Sequence, residues 1–477
     1  MNIPKFVSSA LKELAKHNFA AHIVGGCVRD LILGREPKDW DITTKARPEE
    51  ILAIFPLAKY ENNFGTVLLP IKKKTGDLEA VLEITTYRSE QDYSDRRHPD
   101  KVVFETEIDK DLSRRDFTIN ALAMDLSGEI IDFFGGQKDL KKKIIRAVGE
   151  PSERFKEDAL RMLRAIRLSC QLDFAIEPKT LRAISKLAGS IKFVSSERIR
   201  DELVKILSSN QPYEGIMLLH EHKLLQYIIP ELEEGVDMKQ NHHHIYTVFK
   251  HSVLSLKNCP NPDWRVRLAA LLHDIGKPRT KAKINGQDTF YNHEYVGAKI
   301  AQKIAKRLHF STADGDKLIN LVKNHMFYYN VGEVSAASVR RLIVKVGPEN
   351  LQDLIDLRIA DRLGSGTPKA KPYKLRHLEY MLKKVQNDPI SVKMLKINGD
   401  IMIKELKMEP GQKMGAILDL LLAEVIEEPK LNNLKYLTKR AQELNKLAAL
   451  ELRKFAQEKI EEKRKDEDLE MKKEFFV

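Results

Sequence analysis

The stretch IVGGCVRDLILGREPKDWDITT, residues 23–44, decides the reading of this chain. It opens as an apolar, β-branched run that stops at Gly25 and Gly26. A helical pattern starts between Arg29 and Leu33, and DWDIT then reads as a second strand. On a strand, residues i and i+2 point to the same face. Asp39 and Asp41 therefore stand side by side and repel each other unless a cation lies between them. Mg²⁺ is a hard ion that takes carboxylate and phosphate oxygens together. Such a pair of carboxylates can hold metal for an in-line phosphoryl displacement. Gly25 and Gly26 let the backbone approach a phosphate closely, and Arg29 adds a charge-assisted contact to a triphosphate.

Around this stretch the first 150 residues mix both periodicities. Residues 5–18 read as a helix and AAHIVGG as a strand. TVLLPI and AVLEITTY are strand-like. Glu83, on the last of these, reads equally as a third carboxylate or as a strand-surface side chain. RSEQDYSDRRHPDK, residues 88–101, is charged and poor in apolar residues, and reads as a mobile loop. In SRRDFTINALAMD, residues 113–125, the residues Arg114, Arg115, Asp116 and Asn120 stand at the start of an apolar helix, which Ser113 or Asp116 caps. Doubled arginines at a helix start oppose the macrodipole. They call for a phosphate or ribose partner or for acidic neighbours.

From Pro151 onward strand signals nearly vanish and helical periodicity dominates. Residues 154–168, RFKEDALRMLRAIRL, read as one helix with Asp158 and Arg161 on a shared face, continued by Arg164 and Arg167. A carboxylate accepts from an exocyclic amine and a guanidinium donates to a ring nitrogen. An Asp–Arg pair therefore accepts cytosine and adenine. Uracil and guanine reverse the order and leave both groups mispaired. The bland alternative is a surface stripe of ion pairs. Breaks fall near 230–242 and at GSGTPKAKP, 364–372. The end of the chain, 452–477, is mostly charge and reads as a solvated helix.

The combination in residues 25–41, GGCVRDLILGREPKDWD, resembles the signature of class II nucleotidyltransferases, which comprise tRNA CCA-adding enzymes and bacterial poly(A) polymerases. RRDFTINA is similar to that family's second motif, DFFGGQKDL (132–140) to its third, and EDALRMLR to the motif whose Asp and first Arg act as a protein template for the base. The resemblance implies catalytic Mg²⁺ on Asp39 and Asp41. It implies nucleotide binding by Gly25, Gly26, Arg29, Arg115 and Asn120, base reading by Asp158 and Arg161, and support from Arg164 and Arg167. The loop at 88–101 is then a lever for switching between bases.

A second constellation follows. HHHIYTVFKH (242–251) and LAALLHDIGK (268–277) precede His293, His325 and Asp361. Imidazole and carboxylate groups on separate helices suit a divalent ion with open positions for water. The ordered set resembles the HD phosphohydrolase superfamily. By that resemblance His251, His273, Asp274 and Asp361 are core ligands, and His293 and His325 hold a second metal or a phosphate. Lys277 contacts a phosphate or merely follows a helix end. The triple histidine 242–244 reads as a loop, with His244 its most interesting member. Some relatives with this domain hydrolyse 2′,3′-cyclic phosphate or 2′-phosphate.

Composition agrees with both. The chain has 477 residues, 81 Lys plus Arg against 69 Asp plus Glu, and a formal charge of +12, which favours a polyanionic partner. Three widely spaced cysteines form no disulfide framework and suit a reducing cytoplasm. The N-terminal segment lacks a secretory pattern, and no apolar run spans a bilayer. The expected fold is α+β. A small mixed-sheet nucleotidyltransferase head (1–150) precedes an all-α neck (151–235), an HD domain (236–368) and a helical tRNA-binding body and tail (369–477). In the tail, lysine-rich stretches at 369–384 and 430–440 meet RNA phosphates, and Gly411 and Gly415 either approach them or punctuate helices. The expected partners are tRNA, ATP and CTP, with no membrane. The rival readings are a poly(A) polymerase, a partial CC- or A-adding enzyme, a phosphohydrolase with an RNA-binding head, and a non-catalytic RNA-binding protein.

Overall fold

The computed structural model describes the chain except residues 1–2, 63–64, 74, 76, 92–100, 241–244, 328, 331–333, 368–369, 386–387 and 448–477. It divides into two compact units, Met1–Pro230 and Glu231–Val477. His244, most of the 88–101 lever and the charged end of the chain fall outside the described residues.

The first unit is built on a seven-stranded sheet. Its strands run in the order Lys59–Asn62, Thr66–Lys72, Leu78–Thr86, Asp41–Thr44, Ala21–Val24, Ala123–Met124 and Ile130–Ile131. Neighbours are antiparallel except Asp41–Thr44 and Leu78–Thr86, which run parallel with Asp41 beside Glu83. The sheet is mixed, as expected. The two strands on either side of the first glycines, Ala21–Val24 and Asp41–Thr44, are direct neighbours, with Ile23 opposite Ile42. Both isoleucines are fully buried. Their burial anchors the turn and the carboxylates to a rigid core.

Several boundaries differ from expectation. The helix after the glycines is Gly26–Ile32, so it starts three residues before Arg29. The strand starts at Asp41, and Asp39 sits in the bend before it. Residues 88–91 and 101–104 pair as the two arms of an antiparallel ribbon instead of forming a loop. Helix does not follow the doubled arginines. A single 3₁₀ turn, Thr118–Asn120, leads into the strand Ala123–Met124 beside Ala21–Val24. Ile119, Ala121, Leu122, Ala123 and Met124 are all fully buried, so pairing with the sheet overrides the helical pattern.

The expected single helix over 154–168 breaks at Asp158. Helix Pro151–Glu157 ends there, Asp158 takes extended geometry (φ −141°, ψ 106°), and a second helix runs Leu160–Leu172. The Leu160 amide donates to the Asp158 carboxylate at 3.0 Å, a side-chain acceptor role in which Asp competes with the helical backbone. A two-residue parallel bridge, Ile144–Ile145 with Ala175–Ile176, also enters the otherwise helical neck.

The second unit is helical apart from the hairpin Ala282–Ile284 and Gln287–Thr289. Helices Val248–Lys257, Trp264–Leu272, His293–Arg307, Thr312–Asn324 and Leu351–Gly364 pack together first. Further along the chain, Gly411 precedes helix Gln412–Glu427, and a side chain at Gly411 or Gly415 would meet only open space. Among the described residues no helix is long and apolar enough to cross a membrane.

Candidate nucleotide site and His–Asp centre

The head site begins at Gly25, whose φ of +87° and ψ of −135° suit glycine alone. A Cβ there would lie 2.9 Å from a guanidinium nitrogen of Arg115 and 3.8 Å from the Asp41 carboxylate. The glycine thus brings the two charged groups against bare backbone. Burial pushes the Asp41 carboxyl above its usual range, Arg115 pulls it back, and Asp39 pushes it up again. Glu83 has the same problem. Burial, with Asp41 and Glu61 nearby, pushes it up to about 6. Three acidic groups crowd one end of the sheet, and that donor chemistry fits a hard divalent cation.

Segments far apart in sequence meet beside this point. An Arg29 guanidinium nitrogen donates to Asn120 Oδ1 at 2.7 Å. Asn120 Nδ2 donates to Asp116 Oδ1 at 3.0 Å, and Arg164 Nε donates to Asp116 Oδ2 at 2.8 Å. Burial works against the charged form of Asp116, yet Arg164 and Asn120 hold it well below the usual carboxylate range. Asp116 is therefore the hub of the site rather than a helix cap. Arg114 and Arg115 both reach the fully buried Asp111, at 2.7 and 3.3 Å. One carboxylate against two guanidiniums leaves a positive charge over, on the side of Gly25. Arg167 lies 2.9 Å from Glu202. Burial, then the charges of Arg164 and Arg29, lower its affinity for the proton, partly offset by Glu202.

Asp158 and Arg161 do not share a helical face, because the helix breaks between them. Asp158 is held by Arg198 at 2.7 Å. Arg161 donates to Glu157 at 2.5 Å and to the carbonyls of Arg154 and Arg114. Asp111, Arg198 and Glu202 were not singled out from sequence. No local pattern marks them, since their partners come from other helices or the opposite end of a motif.

The second centre lies wholly in the second unit. His251 sits on helix Val248–Lys257, His273 and Asp274 follow Trp264–Leu272, His293 opens the next long helix, His325 ends Thr312–Asn324, and Asp361 lies on Leu351–Gly364. His251, His273, Asp274, His293 and His325 are buried. Asp274 is central. Its Oδ2 lies 3.2 and 3.3 Å from the Nε2 atoms of His251 and His273, and its Oδ1 lies 3.3 and 3.7 Å from those of His293 and His325. Asp361 adds contacts of 3.3 and 3.7 Å to His251 and His273. Two triads, each with Asp274, bring their ligand atoms within 4.8 Å of one another.

The ring orientations are set from behind. Nδ1 of His273, His293 and His325 lies 2.8, 2.8 and 2.7 Å from the carbonyls of Ala270, Phe290 and Val322. Each carbonyl accepts a proton from Nδ1, which leaves Nε2 with its lone pair facing inward. Nε2 atoms then face each other at 3.0 Å (His251, His273) and 3.3 Å (His293, His325). Facing lone pairs repel unless a cation or proton lies between. Burial disfavours the imidazolium at His273, but Asp274 and Asp361 raise it to about 10, whereas burial takes His325 down to about 4. The donor set fits two divalent cations bridged by Asp274. Lys277 donates to Asp274 Oδ2 at 2.7 Å and equally closely to Gln240.

Residues 21–146 match the family model of the poly A polymerase head domain, residues 173–235 that of the probable RNA and SrmB-binding site of polymerase A, and residues 242–365 that of the HD domain. The first defines a nucleotidyltransferase head, in agreement with the carboxylates and arginines above. The chain is 34% identical to a CCA-adding enzyme of Ligilactobacillus salivarius over 93% of its own length and 98% of that protein. It is 32% identical to an A-adding tRNA nucleotidyltransferase of Deinococcus radiodurans, over 83% of this chain and 89% of the relative. The crystal structure of the Bacillus stearothermophilus CCA-adding enzyme in complex with CTP superposes with a TM-score of 0.68 at 26% identity, covering 94% of this chain and all of that one. The chain belongs to the CCA-adding enzyme family of nucleotidyltransferases.

Proposed function

We propose that this enzyme adds C, C and A to the 3′ end of tRNA from CTP and ATP, without a nucleic-acid template. The observation that carries the reading is the meeting of four distant segments at Gly25: the Asp39–Asp41 pair, Arg115, the Arg29–Asn120–Asp116 chain and Arg164. Asp39 and Asp41 would hold Mg²⁺, which when bound supplies an activated 3′-hydroxyl and a neutralised pyrophosphate. Gly25 and Gly26 let the triphosphate approach the backbone. Arg29, Arg115 and Arg167 carry the positive charge that receives it, and Asn120 orients the ribose. Asp158 accepts from the exocyclic amine of cytosine or adenine, and Arg161 donates to the ring nitrogen. The break at Asp158 favours this role, because it frees the carboxylate from a solvated helical face.

The division of labour follows the expected segments: head 1–150, neck 151–235, HD domain 236–368 and RNA-binding body and tail 369–477. In the HD domain, His251, His273, Asp274 and Asp361 would hold one divalent cation, and His293 and His325 with Asp274 a second. Its substrate is a 2′,3′-cyclic phosphate or a 2′-phosphate. Burial raises the thiols of Cys27, Cys170 and Cys259 to about 11, 12 and 11, which suits a reducing cytoplasm.

A-addition alone is the second reading, favoured by the Deinococcus radiodurans relative. The test incubates tRNA transcripts lacking CCA, CA or A with each single nucleoside triphosphate and Mg²⁺. CMP addition to the first two and AMP addition to the third is expected. Failure to add C to the shortest transcript refutes full CCA addition, and long A runs favour a poly(A) polymerase.

A further inference from the structure

Helix Tyr373–Lys384 has one face in a core and an opposite face that is both aromatic and basic. Leu375 and Leu378 are buried in a cluster with Val339, Ile343, Ile355 and Ile359, and Met381 and Leu382 pack on it. On the other side, Tyr373, Arg376, His377, Tyr380, Lys383 and Lys384 recur at the 3, 4 and 7 spacing of a single helical face. Tyr373 and Tyr380 stay 62% and 59% exposed. Their rings flank His377 at 5.9 and 6.1 Å between centroids, and Tyr329 adds a fourth ring at 6.0 Å. The Tyr329 hydroxyl shares a hydrogen bond of 2.5 Å with His377 Nδ1, which holds the middle ring in place. Glu379, the only acidic residue of the helix, is committed to Lys371 at 2.7 Å.

We infer that this face is a stacking platform for unpaired nucleobases of an RNA, with Arg376, Lys383 and Lys384 on the flanking phosphates. A contiguous patch of exposed rings marks an interaction surface, and the surrounding positive charge selects a polyanion. Bases stack on aromatic rings only where their faces are open, so single strands and loops fit and closed duplex does not. The identity of that RNA as tRNA rests on the proposed function; the stacking chemistry does not.

The test uses the full chain with three labelled RNAs: a tRNA transcript lacking CCA, a single-stranded oligomer and a blunt duplex. The Y373A/Y380A double variant should bind the first two about tenfold or more weakly and the duplex as the wild type does, since stacking on one ring is worth about 1–3 kcal/mol per base. The Y373F/Y380F variant should bind like the wild type, and both should keep its melting temperature. K383A/K384A should lower the salt slope for the single strand by about 1–2. Wild-type affinity of the alanine variant for tRNA and oligomer overturns the platform, as does equal loss on all three RNAs. If the chain transfers no nucleotide to any tRNA, the functional reading fails while the binding comparison still decides the platform.

Discussion

Asp116 joins motifs that lie almost fifty residues apart on either side of it in space and sequence: Asn120 and Arg29 through one oxygen, Arg164 through the other. Its depressed pKa has a defined consequence for stability. The folded-state value lies below the unfolded one, so the contribution is fully present above about pH 4, the ordinary carboxylate value, and is lost as pH falls through the folded pKa. Asp116→Asn should therefore destabilise the chain by about 1–3 kcal/mol, discounted because Arg164 is a third exposed. Denaturant titrations should show a constant gap between wild type and variant from pH 8 to pH 5, closing only below about pH 4. Gly25→Ala tests the same site from the backbone side. It should cost about 1–2 kcal/mol, and by displacing Arg115 it should slow nucleotidyl transfer about a hundredfold. Steady-state kinetics beside thermal melts separate the two effects.

At the scale of elements, the break in the neck helix matters most. The periodicity of 154–168 was readable, and so were both residues of the proposed base-reading pair. The break was not, because the interaction that accompanies it comes from Arg198 on helix Ser196–Leu207. Arg198→Ala should leave Asp158 without its partner and raise KM for CTP and ATP about tenfold, the size of one lost charge-assisted hydrogen bond. An unchanged KM would mean that the Asp158–Arg198 contact does not position the base reader. The stretch after Arg115 makes the opposite point. Its apolar pattern fits a helix, but an open sheet edge beside Ala21–Val24 takes it as a strand.

For the whole molecule, the two centres belong to separate compact units and share no residue. Asp41→Ala should abolish nucleotidyl transfer and leave phosphohydrolysis intact. Asp274→Asn, which removes the carboxylate common to both triads, should do the reverse and lower the metal content of the purified protein, measured by elemental analysis. Loss of both activities in either variant, with unchanged melting, would contradict independent sites. The charge of +12 acts at this scale too. KM for tRNA should climb steeply between 50 and 200 mM salt while KM for CTP moves much less, because each phosphate contact releases counterions.

By itself the sequence determined the order of segments, the mixed sheet behind two glycines, the carboxylate pair and the full set of His–Asp residues. Those depend on side-chain chemistry and on periodicities a few residues long. Only the tertiary structure decided that Asp116 is a hub, that Asp111 takes both arginines, that Asp158 interrupts a helix, and that Asp274 faces two pairs of imidazoles at once. Each of these depends on a partner tens of residues away. Which partner arrives is set by the packing of sheet and helices, where burial makes an unpaired charge too costly to leave alone.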